Sequence, residues 1–358
     1  MKVLFVTEQK IMGGGEYNLL FLIKEMQRYD LDIGVLSCNE IFLSLLPNTV
    51  KKYNYPNISK RGWLSFLPLI WRQLNVYHIT GQSWDIIHFY SPNPTCRMLL
   101  NCSKKVWTVH GPWEHASGLR GLQLQLFIDR FLPVSDDVRR TCTVTAKKVS
   151  CIELGIKPSN YIKQWTFKTP KVFNLLCLGR YQYVKGQDVL LNALHRLQIQ
   201  LPEDYKINLS FYGEVDQSRP DDILFYEQLI YQSKIFDSSD VITVSFNASS
   251  RDIEKLYDWA DVCIIPSRYE SFSMVAAEAL TFGLPIIVSN NGAPHTFLEG
   301  KCSGLVFENA NADSLASCLM SLISEPEQFC RFSGYRNRFS ISRQAEEILE
   351  VYNSVMDS

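Results

Sequence analysis

Short apolar runs alternate with helically spaced segments along this chain. Lys2–Thr7 (KVLFVT) leads into a glycine triplet and then Tyr17–Tyr29, where apolar residues recur at the spacing of one helix face. The runs Asp32–Cys38 (DIGVLSC), Asp85–Tyr90 (DIIHFY), Lys105–His110 (KVWTVH), Arg130–Ser135 (RFLPVS) and Lys148–Glu153 (KVSCIE) follow, most of them separated by helical pattern. Runs this short, joined through helices, predict a parallel sheet covered on both faces. The alternation lapses in a polar stretch with two prolines, Gly155–Pro170, which reads as an interdomain linker.

It then restarts. VFNLLCLG (172–179), a helix over 186–200, INLSFYG (207–213), a helix near 223–234, VITVSF (241–246) and IEKLYDWA (253–260) make up its first part. DVCIIPS (261–267), MVAAEALTFG (274–283), PIIVSN (285–290), GLVF (304–307) and a helix over 312–324 complete a second unit of similar size. Arg343–Val355 is one more amphipathic helix. The pattern predicts an α/β protein of two doubly wound units, with ligands at the carboxyl ends of the strands in an interdomain cleft.

Length and composition narrow the classes. At 358 residues the chain is too long for one ordinary core, and 46% hydrophobic with 20% charged residues is the balance of a soluble globular protein. The longest nearly uncharged apolar stretch, Trp63–Trp71, is about nine residues, well short of the ~20 that a membrane-spanning helix needs. The opening apolar run is too short for a signal-peptide core. Ten scattered cysteines without a C-x-x-C spacing predict free thiols in a reducing cytoplasm. Charge divides unevenly: 21 Lys and Arg against 12 Asp and Glu up to Lys168, but 15 against 25 from Lys171 onward. A basic first half should attract an anionic partner.

Three segments carry candidate chemistry. Gly13-Gly14-Gly15 follows the first strand and opens the first helix, where backbone can approach an anion, although a glycine-rich turn is often only a turn. Arg180 ends a buried strand and Lys185 precedes the next helix, and two cations there suit a diphosphate; solvated junction residues are the plainer alternative. In PSRYESFSMVAAEAL (266–280), Glu270 precedes a helix and Glu278 lies in its second turn. A helix amino terminus is a natural phosphate seat, Glu270 can accept sugar hydroxyls, and Glu278 can take a vicinal diol in both oxygens. An acidic first turn that merely complements the helix dipole would explain Glu270, and Glu278 poorly.

The combination GGGE, LGRYQYVKGQDVLL and DWADVCIIPSRYESFSMVAAEALTFGLPIIVSNNG resembles the retaining glycosyltransferases of GT-B fold, family 4, over essentially the whole chain. The resemblance implies two Rossmann-like domains facing a cleft: residues 1–165 on the acceptor side and 171–339 for the sugar nucleotide, with the helix of 340–358 packed back on the first. It implies that Arg180 and Lys185 hold the donor diphosphate, Glu278 the ribose and Glu270 the transferred sugar. Backbone amides of Ser271, Phe272, Ser273, Met274 and Val275 would contact sugar and phosphate, Gly14 and Gly15 would meet the diphosphate, and His110 would lie near sugar and acceptor. The donor is expected to be a UDP-sugar, with a GDP-sugar as alternative. The acceptor would be a glycan or lipid-linked glycan, as in bacterial surface polysaccharide synthesis. No metal and no other cofactor is expected.

This chain departs from the family pattern in three places. Ser271-Phe272-Ser273 stands where glycines are common, FYGEVDQ (211–217) has one glycine of a usual pair, and Gly292-Ala293-Pro294-His295 stands where a glutamate is common. Two other classes remain: a sugar-nucleotide epimerase of related fold, and a non-catalytic sugar-nucleotide-binding subunit. A nicotinamide dehydrogenase is disfavoured by the missing G-x-G-x-x-G, and His110, Glu114 and His115 do not have a metal-ligand spacing. No basic helix with interleaved aromatics suggests nucleic acid. Ile58–Gln73 (ISKRGWLSFLPLIWRQ) mixes cations with large apolar residues, so peripheral contact with an anionic membrane is expected beside the plainer reading of a core-facing segment.

Overall fold

Six parallel strands form the sheet of the first unit: β1 (Lys2–Thr7), β2 (Asp32–Ser37), β3 (Lys51–Asn54), β4 (Ile86–Phe89), β5 (Lys104–Val109) and β6 (Arg130–Pro133). Their spatial order is β3-β2-β1-β4-β5-β6. The second sheet holds β7 (Val172–Leu178), β8 (Lys206–Tyr212), β9 (Ile242–Asn247), β10 (Val262–Ile265), β11 (Ile286–Ser289) and β12 (Gly304–Phe307) in the order β12-β11-β10-β7-β8-β9. Numbered within its own unit, the second order repeats the first. The computed structural model describes residues 1–54, 80–90, 103–114, 118–157, 171–202, 204–248, 252–329 and 335–358. Met1–Pro158 with Asn337–Ser358 forms one compact unit and Ser159–Arg336 the other.

Burial explains the strands. Every residue from Val3 to Val6 and from Ile286 to Val288 is at most 1% exposed, so both faces are covered and alternation is lost. Strand order reverses between β1 and β4 in the first unit and between β7 and β10 in the second. At such a switch point the following loops diverge to opposite faces and leave a crevice outside the carboxyl ends. Two segments differ from the sequence pattern. β3 (KKYN) is too polar to announce itself and pairs in register with β2, Gly34 opposite Lys51. Lys148–Glu153 is no regular strand; it follows the edge of β6 through one bridge, Phe131 to Val149, with Ser150 N donating to Phe131 O.

The helix Ile341–Met356 buries Ile341, Ala345, Ile348, Val351, Tyr352 and Val355 in the core of the first unit. These positions make a single stripe, and at ~1.5–3 kcal/mol for each larger side chain their burial contributes roughly 10 kcal/mol before entropy. A polar knot pins the helix. Gln344 Oε1 accepts from Asn18 Nδ2 at 2.9 Å and from Gly155 N at 2.7 Å, and Gln344 Nε2 donates to Tyr90 OH at 3.2 Å. Gly155 and Ile156, at the start of the expected linker, are therefore part of this unit: both are buried, and Ile156 N donates to Phe339 O at 2.8 Å. The rest of that stretch, from residue 158, lies outside the described residues.

Returning the last helix to the first unit changes the charge picture. Counted by unit, Lys and Arg stand at 21 against 16 Asp and Glu in the first, and at 15 against 21 in the second. About half of the polarity suggested by a linear division disappears.

Candidate functional site

Two turns meet at the switch point of the second sheet. After β7 the chain passes Gly179 and Arg180 into a short turn of 3-10 helix, Tyr183–Lys185, and then the helix Gln187–Leu197. After β10 it runs through Pro266–Ser273 into the helix Met274–Thr281. Gly186 joins them: its φ is +68°, and a Cβ there would lie 2.0 Å from Pro266 O, so only glycine permits both the turn and the contact. Arg268 N donates to Val184 O at 2.8 Å. The Arg268 guanidinium forks onto Asp188, at 2.9 and 2.7 Å, and stacks 3.7 Å above the Tyr183 ring. Planar, bidentate and stacked, this is the geometry for which lysine is no substitute.

The clamp brings two predicted residues together. Lys185 Nζ lies 2.6 Å from Glu270 Oε1, and Ser267 Oγ donates to the same oxygen at 2.8 Å. Glu270 Oε2 has no partner among the described residues and remains open to a hydroxyl donor. The backbone of Glu270 is fixed from the other side, because its carbonyl accepts from Ala293 N at 2.8 Å. Gly292, at φ +90°, allows this approach; a Cβ would sit 2.1 Å from Glu270 O. Gly292-Ala293 therefore positions Glu270 through its main chain.

Ser273 caps the next helix, with Oγ accepting from Ala276 N at 3.3 Å at a strained φ of +74°. The amides of Met274 and Val275 are first-turn groups with no intrahelical acceptor. Phe272 is buried against Phe297, so its side chain belongs to the core and only its main chain can face a ligand.

Two predicted residues are not joined to this pair. Arg180 is exposed and its guanidinium makes no hydrogen bond or ion pair among the described residues; its charge acts at longer range on Asp216, whose carboxyl is held down mainly by its Ser218 hydrogen bonds and in smaller part by Arg180. Glu278 turns instead toward Tyr257, whose hydroxyl donates to Oε2 at 2.9 Å. Burial pushes the Glu278 carboxyl up to about 7, against the smaller opposing effect of the Tyr257 hydrogen bond. Sequence reasoning missed Asp188, Tyr257, Ser267 and Arg268. Each stands inside a quoted motif, yet their pairings join residues 80 or 21 apart, or side chains without a distinctive spacing.

In the first unit, Gly13 caps the helix Gly14–Met26, and Glu16 closes the turn by accepting from Gly13 N at 3.2 Å and from Thr7 Oγ1 at 3.4 Å. The glutamate of GGGE thus secures the turn itself. Gly15 lies beside His110, since a Cβ on it would be 3.6 Å from His110 Cε1. The His110 ring packs edge-on to Tyr90 at 4.9 Å, and its Nε2 is buried with no hydrogen-bond partner among the described residues. Burial pushes its pKa down to about 4, so the imidazole is neutral at ordinary pH. Glu114 is buried and, held by His110 N–H and Trp107, braces the turn after β5; burial raises its pKa well above the usual range. His115 lies outside the described residues.

A family model described as glycosyl transferases group 1 matches residues 160–339. Spore coat protein SA of Bacillus subtilis is 25% identical over 251 residues, 63% of this chain and 65% of that protein. A D-inositol 3-phosphate glycosyltransferase of Xylanimonas cellulosilytica is 30% identical over 182 residues, 50% of this chain and 41% of that protein. The match thus spans less than two thirds of the length of these curated relatives. Among solved structures, Anabaena HepE in complex with UDP and glucose superposes with a TM-score of 0.76 at 16% identity, covering 99% of this chain and 100% of that one. A glycosyltransferase from Rickettsia africae gives 0.76 at 18% identity, covering 99% and 98%. At these identities the likeness is one of fold, that of the GT-B glycosyltransferases with their two Rossmann-like units.

Proposed function

This chain belongs to the glycosyl transferases group 1 family, and from that premise we propose that it is a retaining enzyme of family 4. It would move a sugar from a nucleoside diphosphate to a glycan or lipid-linked acceptor, in the manner of bacterial surface polysaccharide synthesis on the cytoplasmic side of a membrane. The observation that carries the reading is the 2.6 Å contact of Lys185 with Glu270 at the switch point, beside the helix amino terminus at Ser273. A cation, a carboxylate with one open oxygen and the first-turn amides of Met274 and Val275 are groups that suit a sugar diphosphate. A UDP-sugar is favoured because HepE was solved with UDP and with UDP-glucose; a GDP-sugar is the alternative.

The chemistry follows from charge. As the bond from the sugar carbon to the phosphate oxygen breaks, both electrons leave with the nucleoside diphosphate and the sugar becomes oxocarbenium-like. Arg180, Lys185 and the amides of Ser271 to Val275 stabilise the departing charge; each preorganised donor contributes ~2.7–4 kcal/mol by analogy with oxyanion holes. Glu270 holds hydroxyls of the moving sugar, and Glu278 holds the ribose diol. The acceptor oxygen attacks the face that the phosphate leaves, and a phosphate oxygen takes its proton, so configuration is retained without a covalent intermediate. In the first unit, Gly14 and Gly15 offer amides to the diphosphate, and neutral His110 offers Nε2 to a hydroxyl. The cations do the work of a metal.

A panel of UDP- and GDP-sugars read by thermal shift is the direct test, since a ligand at 100 times its Kd adds ~2.7 kcal/mol of stability. The best ligand is then followed for turnover with and without glycan acceptors. Turnover without any acceptor would make the protein an epimerase, and absence of any shift would remove the donor site.

A further inference from the structure

The basic, aromatic segment Ile58–Gln73 lies outside the described residues, and among those residues no helix is long and apolar enough to cross a membrane. On the second unit a groove of different chemistry is open to solvent. The helix Gln187–Leu197 follows β7 and the helix Pro220–Ser233 follows β8, and each returns the chain to the end of the sheet where strands begin. Leu190, Leu194 and Leu197 of the first, with Phe225 and Leu229 of the second, are buried in the core. Outside that core the last turns of the two helices leave a groove of about 550 Å³. Asn192 and His195 line it from the first helix, Tyr231 and Gln232 from the second, and Lys234 and Ile235 from the 3-10 turn Lys234–Phe236. The groove therefore stands at the opposite end of the sheet from Lys185 and Glu270, which follow the carboxyl ends of β7 and β10.

Its lining is both aromatic and polar. Tyr231 is 74% exposed, although most of its side chain is an apolar ring, and Ile235, one turn on, is 45% exposed. Asn192 and His195, three residues apart, share one face of their helix, and both are exposed. Gln232 Oε1 is buried with no hydrogen-bond partner among the described residues, an acceptor that a hydroxyl would satisfy. Charge is sparse. Lys234 is the one lysine in the lining, no arginine or carboxylate joins it, and its Nζ lies 5.8 Å from the centre of the Tyr231 ring. Arg196, next to His195, is ion-paired with Asp313. A phosphorylated ligand would call for more than one cation, and an aliphatic ligand would leave two amides and an imidazole unmet. A pyranose has an apolar C–H face and a rim of hydroxyls, and it matches the ring and the polar groups together.

We propose that this groove is a second glycan site. The Tyr231 ring takes the C–H face of a neutral sugar unit, and the Asn192, His195 and Gln232 side chains take its hydroxyls. The site is remote from the reacting centre, so it makes no bond; it tethers a long chain and raises the local concentration of chain ends. Its purpose rests on the reading of a glycan acceptor, whereas the binding itself needs neither donor nor turnover.

Electrophoresis of the full chain through native gels, with and without soluble glycogen or galactomannan, is the test. At least one of the two polysaccharides should retard the wild type. Tyr231→Ala should weaken that binding ~10-fold and Tyr231→Phe little, because the ring carries the stacking. Asn192→Ala should cost about fivefold, the loss of one hydrogen bond. Both positions are exposed and away from the donor turns. Melting temperature, thermal shift with nucleotide-sugar and turnover on a monosaccharide acceptor should therefore not change. On a long acceptor of the retained type, the variants should raise KM and leave kcat as it was. A wild type retarded by neither polysaccharide would overturn the second site, while a nucleotide-sugar shift in the same protein would leave the transferase reading standing. Equal retardation of the wild type and Tyr231→Ala would place the glycan elsewhere and overturn this groove. Retardation abolished by UDP would place the glycan at the donor site and overturn it likewise.

Discussion

Glu278 offers the sharpest test, because one buried carboxyl should show in both stability and binding. Burial raises its pKa from 4.5 to about 7 in the folded protein. A raised value means that the folded state holds the proton more tightly than the unfolded chain. Its stabilising contribution is therefore full below about pH 4.5, falls as pH rises toward 7, and is gone above that. The loss amounts to roughly 3 kcal/mol. Glu278→Gln keeps an oxygen for the Tyr257 hydroxyl and cannot ionise. Without ligand, the variant should match the wild type near pH 4.5 and become the more stable protein toward pH 8, by up to ~3 kcal/mol.

Binding should run the other way. Only the ionised carboxyl can accept both ribose hydroxyls, so nucleotide-sugar affinity should fall by up to ~10-fold per pH unit below 7 and flatten above it. Calorimetry with the best nucleotide-sugar, in two buffers of different ionisation enthalpy, should record about half a proton released near pH 7 in the wild type and none in Glu278→Gln. A variant less stable than the wild type at high pH, or a wild-type affinity unchanged between about pH 6 and 8, would refute the assignment of Glu278 to a diol.

The remaining predictions concern the turns. Arg180→Ala and Lys185→Ala should each lower turnover at least ~100-fold while the protein stays folded; near-normal rates in both would remove the diphosphate site. Asp188→Asn should break the Arg268 fork, lower the melting temperature and weaken nucleotide-sugar binding, with Arg268→Lys failing in the same way; unchanged binding in both would mean that the two turns are held without it. Chelation by EDTA should leave turnover intact, and loss restored by magnesium or manganese would overturn metal-independence.

The fold was legible because fully covered strands read as apolar runs: VFNLLCL and PIIVS can hardly be anything else in a chain that alternates with helices. β3 was not legible, since an edge strand such as KKYN borrows its order from β2 and buries little of its own. Of the candidate site, the residues that the turns bring together were legible by type and only partly by pairing. Glu270 and Lys185 could be named from their turns, but their contact depends on Gly186 seating one turn on the other and on Gly292 fixing Glu270 by its carbonyl. Those constraints live in φ angles and close approaches. The Arg268–Asp188 fork, spanning 80 residues, likewise has no local signal.

The structure also changes what the two cations mean. On the sequence, Arg180 and Lys185 are a pair of positive charges awaiting a diphosphate. In the folded turn, Lys185 is ion-paired with Glu270, whereas Arg180 makes no ion pair among the described residues. An ammonium group carries three donors, so Lys185 can keep Glu270 and still offer two to phosphate. On the proposed reading the carboxylate would act in two ways: Oε1 holds the lysine in place, as the 2.6 Å contact does already, and Oε2 would be left for the sugar. A lysine held on a short tether loses less side-chain entropy on binding, and a carboxylate already balanced by a cation costs less beside an anionic ligand. On that reading Glu270 could stand close to a diphosphate that it would otherwise repel.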